Sequence, residues 1–219
     1  MLDPNSAKLN WEEALKINPE ADIAKLLLAQ LHFVTTPDFQ ILKSDEINIE
    51  YAIKMIKEVE KSQPKNYTPS RLLGNIYRFT GDFDLSLESY NKAMNLIKDK
   101  EGQGNSALYL ISGHVYLFKE EYEKAREYYK KAIEIYSRPQ NEVNISAWSS
   151  NSYLYEKKYD KAIVAINDME KKVFKYRVDS LTKYNLLFRC AQEKFIAYGH
   201  SQKKGETKQI VNEIKEIED

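Results

Sequence analysis

A short pattern of small and bulky residues recurs five times along this chain of 219 residues. In each copy, a small residue is followed four positions later by a bulky one, and three positions after that by a small or apolar one. Residues three and four apart lie on one face of an α-helix, so each copy predicts a helical packing stripe. The stripes are Ala7, Trp11, Ala14; Ala52, Ile56, Val59; Ser86, Tyr90, Ala93; Ala125, Tyr129, Ala132; and Ala162, Ile166, Met169.

The stripes begin 45, 34, 39 and 37 residues apart, counted from Ala7. A recurrence at intervals of roughly 20–50 residues indicates a repeat architecture. The residues beyond the shortest spacing lie in segments that read as loops, at 36–43, at 98–104 and after Ser137-Arg138-Pro139. Because stacked helix pairs tolerate insertions in their connections, the sequence predicts helix pairs stacked one on another.

A second pattern precedes three of the stripes. It reads Ser70, Leu73, Gly74, Tyr77; Tyr109, Ser112, Gly113, Tyr116; and Ser146, Ser149, Ser150, Tyr153. With the segment 11–19, these residues resemble the tetratricopeptide repeat, whose signature is W-x2-L-G-x2-Y, then A-x3-F, then P. The resemblance covers roughly residues 1–175, although each first helix lacks the signature tryptophan and Ser149-Ser150 replaces Leu-Gly.

The expected fold is all-α: a right-handed α-solenoid of stacked antiparallel helix pairs, with about five repeats plus a C-terminal capping helix. We interpret 1–219 as a single solenoid domain, comprising a half repeat (1–19), repeats at 20–64, 67–100, 104–139 and 142–173, and divergent C-terminal helices at 177–219. The predicted helices are 4–17, 21–35, 45–61, 68–80, 83–98, 104–119, 121–136, 142–156, 159–173, 178–199 and 206–218. Thr68 is expected to cap the helix 68–80, and Gly81 to end it in a left-handed conformation.

Composition argues against several classes of function. Lys+Arg and Asp+Glu both number 33, and no basic run suggests a nucleic-acid surface. No stretch approaches the ~20 apolar residues of a membrane span. The lone Cys190 lies in an apolar helical segment and is expected to be a buried thiol. We expect a cytoplasmic protein, because no secretory signal follows Met1, although a trimmed piece of an exported protein would look the same.

Residue patterns for catalysis or metal binding are missing from the sequence. His32, His114 and His200 fall in different repeats, and a stacked repeat contacts only its neighbours. No Cys-x-x-Cys, His-Glu-x-x-His, Gly-x-Ser-x-Gly or phosphate-loop pattern occurs. We therefore expect no enzyme activity, no catalytic residue, no metal and no cofactor.

The resemblance implies that the first helix of each pair lines a concave surface that binds peptides. The candidate peptide-binding residues are Arg71, Asn75, Arg78, Leu110, His114, Phe118, Asn151 and Tyr155. The same interpretation places further residues on this surface: Ile23, Leu26, Gln30, Phe33, Val34, Thr68, Phe79, Ala107, Leu117, Asn144, Ala147 and Leu154. Amides can bind a peptide backbone and arginines can bind a carboxylate. The alternative for Leu110 and Phe118 is that they pack on neighbouring repeats.

Some members of the family hold the C-terminal carboxylate of chaperones in a clamp of lysine, asparagine and arginine. Arg71 and Asn75 match two of its five positions. The other three fall at Ile111, Asn144 and Trp148, which cannot supply the remaining amide and cations. The sequence therefore argues against that clamp.

Two functions fit this interpretation. The first is a protein- or peptide-binding scaffold or adaptor that uses the concave face. The alternative is a regulatory or sensory tetratricopeptide segment of a longer multidomain protein, which the initial half repeat and the charged last helix favour. The expected partner is a protein or peptide, without nucleic acid or membrane insertion. A flanking domain or self-association at the incomplete first repeat is a further expectation.

Overall fold

The computed structural model describes residues 4–32, 35–36, 39–40, 48–97, 102–201, 205–206 and 210. Within these residues the chain forms ten α-helices and one antiparallel pair of two-residue strands. The helices are α1 (Pro4–Ile17), α2 (Asp22–Leu31), α3 (Ile49–Ser62), α4 (Tyr67–Thr80), α5 (Phe83–Ile97), α6 (Gln103–Phe118), α7 (Tyr122–Ile135), α8 (Pro139–Tyr155), α9 (Tyr159–Lys175) and α10 (Ser180–His200). The strands are β1 (Thr35–Thr36) and β2 (Phe39–Gln40).

The chain divides into two compact units, Met1–Asp99 (unit 1) and Lys100–Asp219 (unit 2). In unit 1, each helix from α1 to α5 packs against the next. In unit 2, each helix from α6 to α10 does the same, and α10 also contacts α8. Short connections make consecutive helices antiparallel neighbours. The predicted all-α class of stacked helix pairs is confirmed, whereas the assignment of 1–219 to one domain stays a prediction.

The recurring stripes form much of the core of each unit. Ala52, Ile56 and Val59 are completely buried. The members of the stripes that begin at Ser86, Ala125 and Ala162 are at most 2% exposed. In the first stripe, Trp11 is only partly buried, against the core of unit 1. Because a fully buried large apolar side chain contributes about 1.5–3 kcal/mol, these stripes hold the helices together.

Two glycines bring the helices of a pair into close contact. A Cβ atom at Gly74 would lie 2.5 Å from the ring of Tyr90, and one at Gly113 would lie 2.5 Å from the ring of Tyr129. Both rings are buried, so neither can move aside into solvent. α4 and α6 therefore need glycine at this position, because the tyrosine of the following helix occupies the space of a side chain.

The helix pair α8–α9 packs with other residues at the positions of the glycine and the tyrosine. The equivalent positions hold Ser150 and Ile166, and both are buried. The Ser150 hydroxyl donates a hydrogen bond to the carbonyl of Ala162 on the facing helix. A larger residue on the first helix is thus matched by a smaller one on the second.

The ends of α4 confirm one prediction and correct another. Gly81 has a φ of 87° and its N–H donates to the carbonyl of Tyr77, as expected for a left-handed helix end. Thr68, however, is not the cap. Asn66 is the N-cap, and its side chain accepts a hydrogen bond from the Thr68 N–H. Because asparagine caps at least as well as threonine, the helix begins at Tyr67.

The region between α2 and α3 also differs from the prediction. The helix predicted over 21–35 ends at Leu31, because Thr35 and Thr36 form β1. Threonine favours extended backbone, and Thr36 precedes a proline, which disfavours helix. α3 begins at Ile49 behind the N-cap Asn48. The predicted helical residues 45–47, the surface residues Phe33 and Val34, and most of the predicted helix 206–218 lie outside the described residues.

The glycine–tyrosine contact predicts that Gly113→Ala destabilises the protein by about 1–3 kcal/mol, although alanine is the better helix former. The free energy of unfolding in urea, measured for the full chain, tests this expectation. Gly199→Ala is the matched control, because a Cβ atom at this helical glycine would meet nothing within 4 Å.

A second background separates the clash from other effects of Gly113→Ala. In Tyr129→Ile, where the ring is gone, the same substitution should cost clearly less, so the two changes should not be additive. Equal costs in both backgrounds would show that the tyrosine ring is not the reason for the glycine.

Candidate functional site

On α4 of unit 1, three polar candidates lie on one helical face. Arg71, Asn75 and Arg78 are four and three residues apart and are all partly buried. The Tyr90 hydroxyl donates a hydrogen bond of 2.7 Å to Oδ1 of Asn75. This bond fixes the orientation of the amide, whose Nδ2 remains as a donor for a ligand. We call these three residues the α4 face.

The two arginines of the α4 face have no carboxylate partner within the described part of the chain. Two of the other four described arginines do, since Arg126 pairs with Glu156 and Arg189 pairs with Glu193, whereas the exposed Arg138 and Arg177 do not. Nε of Arg78 is buried without a hydrogen-bond partner among the described residues. The α4 face therefore carries two positive charges that no described acidic residue neutralises.

Tyr90 lies beneath these charges. Burial raises the pKa of its hydroxyl, and the nearby charges of Arg78 and Arg71 offset part of that effect. The phenol stays protonated at neutral pH and remains the donor to Asn75. Tyr90, which packs from α5 against α4, thereby fixes the orientation of the Asn75 amide on α4.

On α6 and α8 of unit 2, an aromatic surface is formed. The rings of His114 and Trp148 are 4.5 Å apart between their centroids and join the two helices. Phe118 and Tyr155 are 54% and 62% exposed. Asn151 lies between the aromatic residues of α8 and is partly buried.

Tyr129 occupies in unit 2 the position that Tyr90 has in unit 1, but its hydroxyl is differently placed. His114 stands where Asn75 stands in the earlier pair, and its ring contacts the Tyr129 ring edge to face at 5.6 Å. Tyr129 Oη is buried and has no hydrogen-bond partner among the residues that the structure describes. Burial raises the pKa of this hydroxyl, so it is a donor at neutral pH.

The residues predicted to line the surface differ in how far they are buried. Leu110 is partly buried and packs against the core around Tyr129. Leu117 and Ala147 do not line the surface as predicted, since they are only 6% and 0% exposed. Both turn toward the neighbouring helix, because their position in the helical turn lies on the packing side. In unit 1, Leu26 also packs against the core, and Ile23 is exposed.

Trp148 was missed as a candidate contact residue. It is 37% exposed and lies on the helical face that also carries Asn144, Asn151 and Tyr155. In the sequence, Trp148 stands out only as a position of the chaperone clamp that lacks the required cation. Its spacing of four from Asn144 and seven from Tyr155 is the signal that identifies it.

A side-chain network holds α7 against α8 and so positions the aromatic surface. Arg126 Nη1 donates to Ser152 Oγ and to Glu156 Oε2, both at 3.0 Å. The guanidinium also lies over the Tyr153 ring, 4.2 Å from its centroid. Burial disfavours ionisation of Glu156, but hydrogen bonds and charges from Lys158 and Arg126 outweigh it and hold its pKa below the usual range.

Other chemistry finds little support in the described residues. Cys190 is buried, as predicted, and burial raises the pKa of its thiol to about 12. Within the described ranges, no three histidine, cysteine or acidic side chains are grouped to hold a metal ion. No helix in that part of the chain is long and apolar enough to cross a membrane.

The fold defines the chain as an α-helical repeat protein, and comparisons with known proteins agree. Residues 67–138, from α4 to the end of α7, match the family model of the tetratricopeptide repeat. A search of curated proteins gave no match. Residues 67–138 therefore carry tetratricopeptide repeats, as the sequence resemblance indicated.

Solved structures of similar fold include BtubC from P. vanneervenii, with 16% identity and a TM-score of 0.69 over 99% of this chain and 89% of that one. PilF of Pseudomonas aeruginosa has 14% identity and a TM-score of 0.63 over 98% of this chain and 84% of its own. YrrB, a tetratricopeptide repeat protein with an unusual peptide-binding site, has 15% identity and a TM-score of 0.54, covering 94% and 91%. At these identities the likeness concerns the fold alone.

The Arg126 network predicts that Glu156→Gln destabilises the protein by about 1–2 kcal/mol at pH 7, between the values for surface and buried pairs. The pKa of Glu156 is lowered by folding, so its contribution is fully present above the unfolded pKa near 4.5 and is lost as the pH falls from there through the lower folded pKa. Urea unfolding should therefore show a larger difference from the wild type at pH 7 than at pH 3.

Glu134→Gln is the control for this experiment, because Glu134 makes an exposed pair with Lys130 one turn away on the same helix. It should change the free energy of unfolding by less than about 0.5 kcal/mol. An undiminished effect of Glu156→Gln at pH 3 would contradict the electrostatic explanation.

Proposed function

We propose that this protein is a scaffold without chemistry of its own, and that it binds a polypeptide partner on the exposed faces of its first helices. The family match over residues 67–138 supports this proposal, because tetratricopeptide repeat proteins generally act as non-enzymatic scaffolds for protein interactions. The absence of enzyme activity and a cytoplasmic location stay predictions. The alternative, a regulatory or sensory segment of a longer protein, is compatible with the same binding faces.

The observation that carries the proposal is the unpaired charge of the α4 face. Two arginines on one helical face lack a carboxylate partner among the described residues. The amide of Asn75 between them is oriented by a hydrogen bond from the Tyr90 hydroxyl. Charge-assisted hydrogen bonds from arginine to carboxylate are among the strongest in proteins. The α4 face therefore fits an acidic segment of a protein partner.

A pair of short peptides tests this assignment. One fluorescein-labelled dodecapeptide carries four glutamates among glycine and serine, and the other carries four glutamines at the same positions. Fluorescence anisotropy should show tighter binding of the glutamate peptide, and that preference should weaken as salt is added. Arg71→Gln with Arg78→Gln should weaken binding of the glutamate peptide by about tenfold or more, since each such bond contributes about 1.5–3 kcal/mol.

The double variant Arg138→Gln with Arg177→Gln is the matched control. It removes the same charge from exposed arginines that lie outside the α4 face. If both double variants weaken binding equally, net charge alone attracts the peptide, and the α4 face is not its site.

A further inference from the structure

The exposed face of α8 carries a regular series of side chains. Asn144, Trp148, Asn151 and Tyr155 follow one another at intervals of four, three and four residues, so all four lie on one helical face. The two amides alternate with the two aromatic rings along the helix axis. We call these four residues the α8 ladder.

The α8 ladder offers hydrogen-bond donors that are not in use. No hydrogen bond joins the side chains of Asn144 or Asn151, or the indole N–H of Trp148, to any residue that the structure describes. Asn144 and Trp148 are exposed and Asn151 is partly buried, so these donors can reach acceptors that a ligand brings to this face.

Spacing restricts the conformation of such a ligand. Trp148 and Tyr155 are seven residues apart, so they lie about 10.5 Å apart along the helix axis. Side chains on one face of a β-strand recur every ~6.6 Å or, skipping one, every ~13 Å. In a polyproline II helix, side chains on one face recur every three residues, or about 9.3 Å. The rings therefore match polyproline II better than a strand.

Chemistry points to the same ligand. Proline has no backbone N–H, so a proline-rich segment presents carbonyl acceptors and no competing donors. Its rings are apolar and pack against aromatic side chains in grooves that recognise this conformation. No acidic side chain belongs to the α8 ladder, and Glu156, next to it in sequence, is already paired with Arg126. A cationic ligand would lack a carboxylate partner here.

We infer that the α8 ladder binds a proline-rich segment of a protein partner in the polyproline II conformation. The rings of Trp148 and Tyr155 receive two prolines three residues apart. The amide of Asn151 donates to a carbonyl between these prolines, and the amide of Asn144 donates to a carbonyl beyond the proline at Trp148. This inference rests on the proposed function and assigns a ligand class to unit 2 alone.

The experiment uses the full chain, labelled with ¹⁵N, and the decapeptide of ten prolines as the probe. Trp11 and Trp148 are the two tryptophans of the sequence, so Trp11→Phe assigns the indole N–H signal of Trp148. Decaproline should shift that signal in a saturable manner. A decapeptide of alternating threonine and valine, and one of alternating glycine and lysine, should bind at least about fivefold more weakly.

Tyr155→Ala should weaken decaproline binding by about fivefold or more, because the ring of Tyr155 is lost from the ladder. Phe174→Ala is the matched control, since Phe174 on α9 is 60% exposed, close to the 62% of Tyr155. It should change binding less than about twofold. Both side chains are exposed, so neither variant is expected to unfold the protein.

Three outcomes would overturn the inference. They are the absence of a shift with decaproline, equal or tighter binding of either control peptide, and equal losses in Tyr155→Ala and Phe174→Ala. Binding of the glutamate peptide tests other residues, namely Arg71 and Arg78 of the α4 face. If that binding persists while decaproline fails, only this inference is wrong; if both fail, the proposed function is wrong as well.

Discussion

The contact between a glycine on one helix and a tyrosine on the next is the constraint on which the rest depends. Because Gly74 and Gly113 have no side chain, the rings of Tyr90 and Tyr129 lie directly against the backbone of the first helix. The ring packs between the helices, and the tyrosine contacts the residue that follows the glycine, through its hydroxyl in Tyr90 and through its ring in Tyr129. One side chain therefore determines how closely two helices pack and contacts a candidate surface residue as well.

The residue after the glycine then determines whether the tyrosine hydroxyl makes a hydrogen bond. Asn75 accepts the hydrogen bond from Tyr90 and is held in place between two arginines. His114 instead contacts Tyr129 by its ring, joins Trp148 on α8 and leaves the hydroxyl without a partner among the described residues. The same packing solution thus produces a cationic face in one unit and an aromatic face in the other. Repetition fixes the scaffold, and the residue after each glycine is one of the positions at which its surfaces differ.

Most of the fold could be predicted from the sequence, because burial in this architecture follows a simple period. The stripes that begin at Ala52, Ser86, Ala125 and Ala162 are buried as their spacing requires.

The predictions that were wrong have local causes. The strands at Thr35–Thr36 and Phe39–Gln40 lie in an insertion, where the period gives no information. Leu117 and Ala147 were misplaced because one residue of helical rotation separates the packing side from the exposed side. Trp148 was overlooked because a known clamp was compared residue by residue, whereas the face of α8 as a whole carries the pattern.

The exchange of size between facing positions has a consequence for how such repeats can be recombined. Glycine opposite tyrosine and serine opposite isoleucine are each complementary, but a mixture of the two is not: serine would collide with the ring, and glycine would leave a void beside isoleucine. Single helices are therefore not interchangeable modules in this protein. The smallest segment that keeps this match when it is duplicated, deleted or transplanted is the complete helix pair.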